Sequence, residues 1–307
     1  MAAPTLPSVL TIAVSSRALF HMEDGNKIWE TKGQTAFNAY MREKENDPLR
    51  PGAAFPLIRK LLALNKNQER PLVNVIILSR NSPDAGFRIL KSVGHYKLPI
   101  NQAIFSQGSD RFRYVSEIGA HLFLSGNHAD VHKAISNGIA AATITPKETI
   151  HMEDPSIKIA FDGDSVLFGS ESDDAYRSLG LDHFISHEHE KRAIPMERGP
   201  FKDFVMALKQ VQDAFPPGEC PLKLALVTAR GIQSHERVFT TLRDWGLSLD
   251  EVMFCGGTAK GPILKAFGAD IFFDDTQSNL TSALDHDIAS GHVPFGAGGI
   301  PAMTNGH

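Results

Sequence analysis

The stretch Ile157–Phe168, which reads IKIAFDGDSVLF, decides the fold. Its apolar residues first alternate and then run together up to Phe161, which is the pattern of a buried strand. Asp162 and Asp164 follow directly, separated by one glycine. In open α/β sheets the ligand crevice lies beyond the carboxyl ends of the strands. Because an unpaired buried charge is costly, these carboxylates indicate a metal ion or a phosphorylated ligand at this strand end.

The spacing of the two acids has a chemical meaning. Side chains two positions apart in an extended segment point the same way, so one carboxylate can act as a nucleophile while the other exchanges a proton. A divalent cation would neutralise the repulsion between the nucleophile and a phosphate. The pattern is weak alone, since Asp285 and Asp287 repeat it in a polar stretch that follows no strand. The functional interpretation therefore depends on the strand context and on motifs further along the chain.

Composition excludes several classes of protein. The chain has 307 residues, of which 42% are hydrophobic, and this suits two domains or one large one. A net charge of −4 without a long basic run argues against a nucleic-acid partner. No uninterrupted apolar segment approaches the length of a membrane span, and residues 1–10 lack a basic segment of signal-peptide type. Two cysteines imply no disulfide framework, so we expect a cytoplasmic protein without a membrane partner.

Strand-like and helix-like segments alternate along the chain, which predicts an α/β fold with a parallel sheet. Short apolar runs predict strands at Val73–Leu78, Ile104–Phe105, Ala120–Leu124, Ala140–Ile144, Lys223–Val227, Val252–Cys255 and Asp270–Phe273. In Ser8–Phe20 they predict a buried strand that runs into a loop at Ser15–Arg17. Helical spacing predicts helices at Phe37–Glu45, Leu57–Leu64, Asp84–Val93, Ala129–Asn137, Ser170–Leu179 and His235–Trp245, and from Phe201 onward. The segment His183–Arg192 is polar and highly charged, as in a solvated helix.

The two halves of the chain repeat one plan. IAVSSRALF at 12–20 is similar to IAFDGDSVLF at 159–168, and both are followed by similar strand ends at comparable spacings. We therefore predict two similar domains, at 1–150 and 155–295, with a disordered tail at 296–307. Serines stand in the first domain where the second has its acids. The alternative is that buried strands with polar ends resemble one another without any duplication.

Four motifs in the second half carry a resemblance. Asp162 and Asp164 follow one strand, Thr228 ends the next, Lys260 follows a third, and an Asp-Asp pair ends a fourth. This order is similar to that of the haloacid-dehalogenase-like phosphohydrolases. The phrases AVSSRALF, AFDGDSVLF, LVTAR, AKGP, FFDD and HVPFG further resemble the cytosolic 5'-nucleotidase I family over nearly the whole chain. The resemblance implies two haloacid-dehalogenase-like, Rossmannoid α/β domains, the second with a cap insertion at about 169–222.

The resemblance assigns roles to these residues. Asp162 is expected to attack phosphorus and Asp164 to serve as the acid and base. Thr228 is expected to contact the phosphate, and Lys260 to neutralise charge, in preference to Lys265. The expected Mg²⁺ ligands, with the direct ligand of the Asp-Asp pair left open, are Asp162, Asp164, Asp274 and Asp275.

Further residues are expected near a bound nucleotide. The loop of Thr228, Ala229 and Arg230 offers backbone N–H groups to phosphate oxygens. Gly199 and Lys202 resemble a family phrase in the cap region, although a helix start at Phe201 explains the preceding Gly-Pro without any ligand.

The resemblance implies a Mg²⁺-dependent 5'-nucleotidase that converts nucleoside 5'-monophosphates, AMP above all, into nucleoside and phosphate through an aspartyl-phosphate. Two alternatives remain: a phosphatase for another small phosphate ester, and a nucleotide-binding regulatory protein without turnover. The first domain has either a structural or dimer-forming role, which we favour slightly, or a second site near Arg17 for a regulatory nucleotide. A homo-oligomer is possible.

Overall fold

The computed structural model describes residues 10–109, 112–145 and 154–296. The chain divides into two compact units, the first formed by Met1–Ala134 with Thr143–Pro155 and the second by Ile135–Ala142 with Ser156–His307. The predicted disordered tail at 296–307 lies outside the described residues apart from Gly296. Among the described residues, no helix combines the length and apolar character that a membrane span requires.

The first unit is built on parallel strands that begin with β1. Its strands are β1 (Leu10–Val14), β2 (Val73–Ser79), β3 (Gln102–Phe105) and β4 (Leu122–Ser125), and β5 (Ala141–Ile144) comes next in the chain. The order is β3-β2-β1-β4. In it β1 pairs in parallel with β2 and β4, and β2 pairs in parallel with β3. The helices are α1 (Ser16–Leu19), α2 (Glu23–Glu43), α3 (Phe55–Ala63), α4 (Pro83–His95), α5 (Phe112–Glu117) and α6 (His128–Ser136).

The second unit has the same plan. Its strands are β6 (Ile157–Phe161), β7 (Leu222–Thr228), β8 (Glu251–Phe254), β9 (Ile271–Asp274) and β10 (Ala289–His292). They are parallel and lie in the order β10-β9-β6-β7-β8. The helices are α7 (Glu171–Glu190), α8 (Lys202–Asp213), α9 (His235–Asp244), α10 (Lys260–Phe267) and α11 (Gln277–Leu284), with an irregular turn at Gly163–Leu167 and a 3₁₀ turn at Ile232–Ser234.

The predicted repeat of one α/β plan is confirmed in the strand order, since β3-β2-β1-β4 corresponds to β8-β7-β6-β9. Backbone hydrogen bonds repeat as well. Ser15 N donates to Leu124 O at 2.8 Å, and Asp162 N donates to Phe273 O at the same distance. Each unit therefore holds the residue after its first strand in the same way.

Two long helices differ from the prediction. The sequence predicted helices at Phe37–Glu45 and Ser170–Leu179. In the structure, the corresponding helices α2 and α7 are longer, and each continues through a bend. The bends fall at Gly33 (φ 79°) and Gly180 (φ 81°), where the left-handed conformation favours glycine. Because each bend rotates one half of the helix against the other, the apolar spacing does not continue across it. Gly33 and Gly180 stand 147 positions apart in the chain (180 − 33). Ser15 and Asp162 have the same separation (162 − 15).

A cluster of phenylalanines packs directly beneath the carboxyl ends of the second unit's strands. The rings of Phe161 and Phe273 stack with centroids 5.7 Å apart, and Phe201 lies 4.9 Å from Phe273. Phe204 on α8 completes the cluster, and all four side chains are buried. Rigid aromatic packing of this kind fixes the strand ends from which the next residues, Asp162 and Asp274, project.

Replacement of Gly199 by alanine should destabilise the protein by about 2 kcal/mol or more, because an added Cβ would lie 2.3 Å from the backbone oxygen of Phe168. The matched control is Gly94→Ala on α4, where a Cβ meets nothing within 4 Å and alanine should be neutral or stabilising by up to about 1 kcal/mol. Urea unfolding measures both. Equal midpoints for the two variants would contradict this account.

Candidate active site

The base of the site is the edge where three neighbouring strands end. Asp162 follows β6, and Thr228 is the last residue of β7. Asp274 ends β9, and Asp275 comes next. Because β6 pairs in parallel with both β7 and β9, the ends of all three strands lie at one edge of the sheet. The structure therefore brings together acids that are more than a hundred residues apart in the sequence.

The buried ammonium group of Lys260 joins two of these acids. Its Nζ lies 2.8 Å from Asp162 Oδ1 and donates to Asp274 Oδ2 at 2.7 Å. The Lys260 side chain is 1% exposed, whereas Lys265, its rival in the sequence, is exposed. Burial opposes its charge, but the Asp162 and Asp274 carboxylates outweigh this and raise the pKa of Lys260. Lys260 is therefore a permanent positive charge within the site.

One lysine does not balance the acids around it. Burial and the Asp274 carboxylate raise the pKa of Asp162 well above its ordinary value, although Lys260 opposes this shift. Burial, with the nearby Asp274 and Asp173 carboxylates, raises the pKa of Asp275 to about 7. Both shifts have the same cause, since carboxylates crowded in a poorly solvated place resist ionisation together. The site therefore has an excess of negative charge that a cation would relieve.

The oxygens of this site fit a divalent cation. Asp162, Asp274 and Asp275 each present an oxygen within 4.8 Å of the others, and in the described part of the chain no other group of metal-ligand side chains converges in this way. Asp275 Oδ2 is buried and finds no hydrogen-bond partner among the described residues. A buried carboxylate oxygen without a partner is costly, and oxygen ligands are those that Mg²⁺ prefers.

Asp164 is placed apart from the other acids. Its two carboxylate oxygens accept hydrogen bonds from Arg230 Nε and Nη2, both at 2.7 Å. Asp164 lies in the turn Gly163–Leu167, where its own backbone is extended (φ −66°, ψ 139°) and Ser165 has a φ of 62°. The bidentate pair fixes the direction of the Asp164 side chain, so any metal contact of this residue would come from its backbone.

The guanidinium of Arg230 belongs to a buried ion network that the sequence did not reveal. Arg230 also donates to Glu188, and Arg237 donates to Glu188 at 2.9 Å and to Glu171 at 2.7 Å. The Glu188 side chain is inaccessible to solvent, although it lies in the segment His183–Arg192 that was expected to be solvated. Highly charged segments usually face water, and the arginines that pair with Glu188 here, in the loop after β7 and on α9, are distant from it in the sequence.

Thr228 and Ala229 occupy the loop after β7. Thr228 is buried, and its Oγ1 accepts a hydrogen bond from Arg230 N at 3.2 Å. A Cβ on Gly163 would lie 3.3 Å from the same Oγ1, so the loops after β6 and β7 meet closely here. Ala229 is exposed, and its carbonyl accepts from Gly257 N at 3.0 Å. Backbone and side-chain hydrogen bonds therefore fix the loop, while Ala229 itself is exposed to solvent.

Gly199 and Lys202 have structural contacts of their own. Gly199 packs against the backbone of Val166 and Phe168, and its N–H donates to Leu167 O at 2.9 Å. Lys202 Nζ lies 4.8 Å from the centroid of the Trp245 ring. These contacts explain both residues without a ligand, so their expected place beside a nucleotide stays a prediction.

Asn279 on α11 is a further residue that the sequence did not single out. Its Nδ2 lies 3.1 Å and 3.2 Å from the two carboxylate oxygens of Asp274. Together with Lys260 and the N–H of Thr276, which donates to Asp274 Oδ1 at 2.7 Å, it fixes Asp274 in place. The available signal was its position in the first turn of the helix that follows the Asp-Asp pair.

Comparisons with known proteins identify the family of this chain. The family model described as 5'-nucleotidase matches residues 2–299. The chain is 35% identical over 293 residues to "Cytosolic 5'-nucleotidase 1B" of Homo sapiens. That match covers 91% of this chain and 48% of the relative, so the chain spans about half the length of this relative. No solved structure matches the chain.

The fold and the acid-rich strand ends define a protein of the haloacid-dehalogenase-like α/β class. Within that class, the chain belongs to the 5'-nucleotidase family. The resemblance to cytosolic 5'-nucleotidases that the sequence motifs predicted is thereby confirmed.

The Lys260→Met variant should lose about 3 to 5 kcal/mol of stability in metal-free buffer, because Asp162 and Asp274 would remain buried without their counter-charge. Lys265→Met on the same helix is the control and should change stability by less than about 0.5 kcal/mol, since that side chain is exposed. Urea unfolding with EDTA present measures the difference. If both variants unfold at the same urea concentration, the ammonium does not hold the site together.

Proposed function

We propose that the chain is a Mg²⁺-dependent 5'-nucleotidase that hydrolyses nucleoside 5'-monophosphates, AMP in preference, through an aspartyl-phosphate. The observation that carries the proposal is the convergence of Asp162, Asp274 and Asp275, of which the first two contact Lys260. In addition, the buried Oδ2 of Asp275 has no hydrogen-bond partner among the described residues. Membership in the 5'-nucleotidase family supports it. The preference for AMP rests on the sequence resemblance.

In the proposed mechanism Asp162 is the nucleophile. One of its carboxylate oxygens forms a bond to phosphorus while the bond from phosphorus to the 5' oxygen breaks. Asp164 gives a proton to that leaving oxygen, and the nucleoside departs. Asp164 then takes a proton from a water molecule that attacks phosphorus, which releases phosphate and restores Asp162. Arg230 is a positioning residue in this scheme, since its bidentate contact orients Asp164, and one oxygen of Asp164 leaves that contact when it carries the proton.

The proposed metal ligands are the side chains of Asp162, Asp274 and Asp275, with the backbone of Asp164. Bound Mg²⁺ would supply positive charge for the phosphate oxygens and the nucleophile. Lys260 places a positive charge at hydrogen-bond distance from the Asp162 and Asp274 carboxylates, and this charge offsets part of their repulsion. The Thr228 hydroxyl and the N–H groups of Ala229 and Arg230 are proposed to bind phosphate oxygens.

Substrate selection is proposed to lie in the segment 169–222, which contains α7 and α8. Gly199 and Lys202 are proposed to lie near the nucleotide, and α7 to form the main part of the cap. A cytosolic location is supported by the name of the human relative. Homo-oligomer formation stays a proposal without a structural argument.

Asp162→Asn should reduce phosphate release from AMP by about three orders of magnitude or more, because an amide cannot form the aspartyl-phosphate. The protein should remain folded, since the change also removes one of the crowded buried charges. Asp285→Asn, in the second D-x-D pattern and exposed, is the control and should retain full activity. A near-normal rate in the Asp162 variant would remove this residue as the nucleophile.

Metal removal and a substrate panel test the other parts of the proposal. EDTA should abolish phosphate release from AMP, and added Mg²⁺ should restore it. Release from nucleoside monophosphates should exceed release from sugar phosphates. Activity on sugar phosphates alone would favour a different phosphatase, and the absence of any release with Mg²⁺ present would favour a regulatory protein without turnover.

A further inference from the structure

The first unit contains a cavity at the strand ends where the second unit has its acids. The cavity measures about 390 Å³, which lies in the usual range for small-molecule sites. Residues that follow β1, β2 and β4 line it, among them Ser15, Arg80 and Gly126. The parallel sheet therefore presents the same crevice in this unit as in the other.

Equivalent positions have opposite chemistry in the two units. Ser15 takes the place of Asp162, since each N–H bonds to the matching carbonyl of the neighbouring strand at 2.8 Å. Ser125 takes the place of Asp274, because each side chain accepts a hydrogen bond from the N–H two residues further on. The positions of Asp162 and Asp274 therefore carry hydroxyl groups instead of carboxylates in the first unit.

The remaining acids are replaced as well. Gly126 follows Ser125 in the chain as Asp275 follows Asp274. Arg17 stands two positions after Ser15, as Asp164 stands two positions after Asp162, so a cation replaces an acid there. The crevice of the first unit has consequently lost the crowded negative charge that repels a phosphate group.

The charged lining of this cavity is positive on balance. Arg17 and Arg80 line it together with one carboxylate, Asp130, which is buried and pairs with Arg80 at 2.5 Å. Arg17 also contacts Glu23 at 2.8 Å, but both side chains are about one-third exposed, so solvent weakens that pair. Hydroxyl groups and an arginine can bind an anion directly, without a metal ion.

Part of the wall is apolar. Phe37 and Met22 are buried, and Trp29 on α2 lines the same cavity although its side chain is 51% exposed. A large exposed aromatic residue beside a polar crevice suits a flat ring on the ligand.

We propose that this cavity is a metal-independent binding site for a small phosphate ester that carries an aromatic ring, such as a nucleoside phosphate. The ligand's phosphate lies toward Arg17 and the serines, and its ring lies toward Trp29. The site binds without turnover, because serines stand at the positions of Asp162 and Asp274 and Gly126 stands at the position of Asp275. It is independent of the proposed catalysis, since its lining residues all belong to the first unit.

Tryptophan fluorescence gives a direct test in the full-length chain. The protein has two tryptophans, Trp29 and Trp245, so Trp245→Phe leaves Trp29 as the single reporter beside the cavity. AMP is titrated into this variant with EDTA present, which removes any metal-dependent binding at the acids of the second unit. The expected result is a saturable change in Trp29 fluorescence. No change at millimolar AMP would overturn the proposal.

A matched pair of variants tests the position and sign of charge. A Cβ on Gly126 would make only ordinary contact with Arg17, at 3.4 Å, so a side chain fits here. In the Trp245→Phe background, Gly126→Asp should weaken AMP binding at least about tenfold relative to Gly126→Asn, because the two side chains differ chiefly in charge. Equal affinities for the two variants would overturn the assignment of an anion to this cavity.

The parts of the ligand can be tested separately. Inorganic phosphate should compete with AMP for the site, and adenosine should bind much more weakly than AMP. If adenosine binds as well as AMP, the arginine and serines do not recognise phosphate and the proposal fails. Phosphate release from AMP with Mg²⁺ is measured in parallel, so that failure at this cavity is distinguished from failure of the proposed catalysis.

Discussion

The buried contact of one ammonium group with two carboxylates is the constraint on which the second unit depends. Lys260 holds Asp162 and Asp274 together at hydrogen-bond distance, although these acids come from different strands. Without the lysine, the strand ends would carry mutually repelling charges above a tightly packed cluster of phenylalanines. The lysine balances only part of the negative charge, and the remaining negative charge favours a cation beside these acids.

A second set of buried charges supports the first. Arg230 faces Asp164 on one side and Glu188 on the other, and Arg237 connects Glu188 to Glu171. These ion pairs connect α7 to the loop after β7 and to α9. Specific ion pairs of this kind fix geometry more than they add stability, because burial of each charge is itself costly. The orientation of Asp164 therefore depends on a helix that begins in the segment proposed as the cap.

The sequence predicted the parts of the structure that follow from local pattern. Buried strands that end in acids, with Lys260 between them in the chain, were recognisable because strand ends in a parallel sheet share one edge. The bends of α2 and α7 were not recognisable, because a left-handed glycine interrupts the helical spacing at Gly33 and Gly180. The burial of Glu188 was also unpredictable, since its partners are distant in sequence and a charged segment ordinarily faces water.

The repeated backbone of the two units has a consequence for how such proteins change. The hydrogen bonds that hold Ser15 match those that hold Asp162, and the bend at Gly33 matches that at Gly180, although the polar side chains at the strand ends differ. The same backbone structure therefore accommodates different polar side chains at the strand ends. A chain that repeats this plan can carry hydroxyls at the strand ends of one unit and carboxylates at those of the other, because neither set of side chains requires a different backbone.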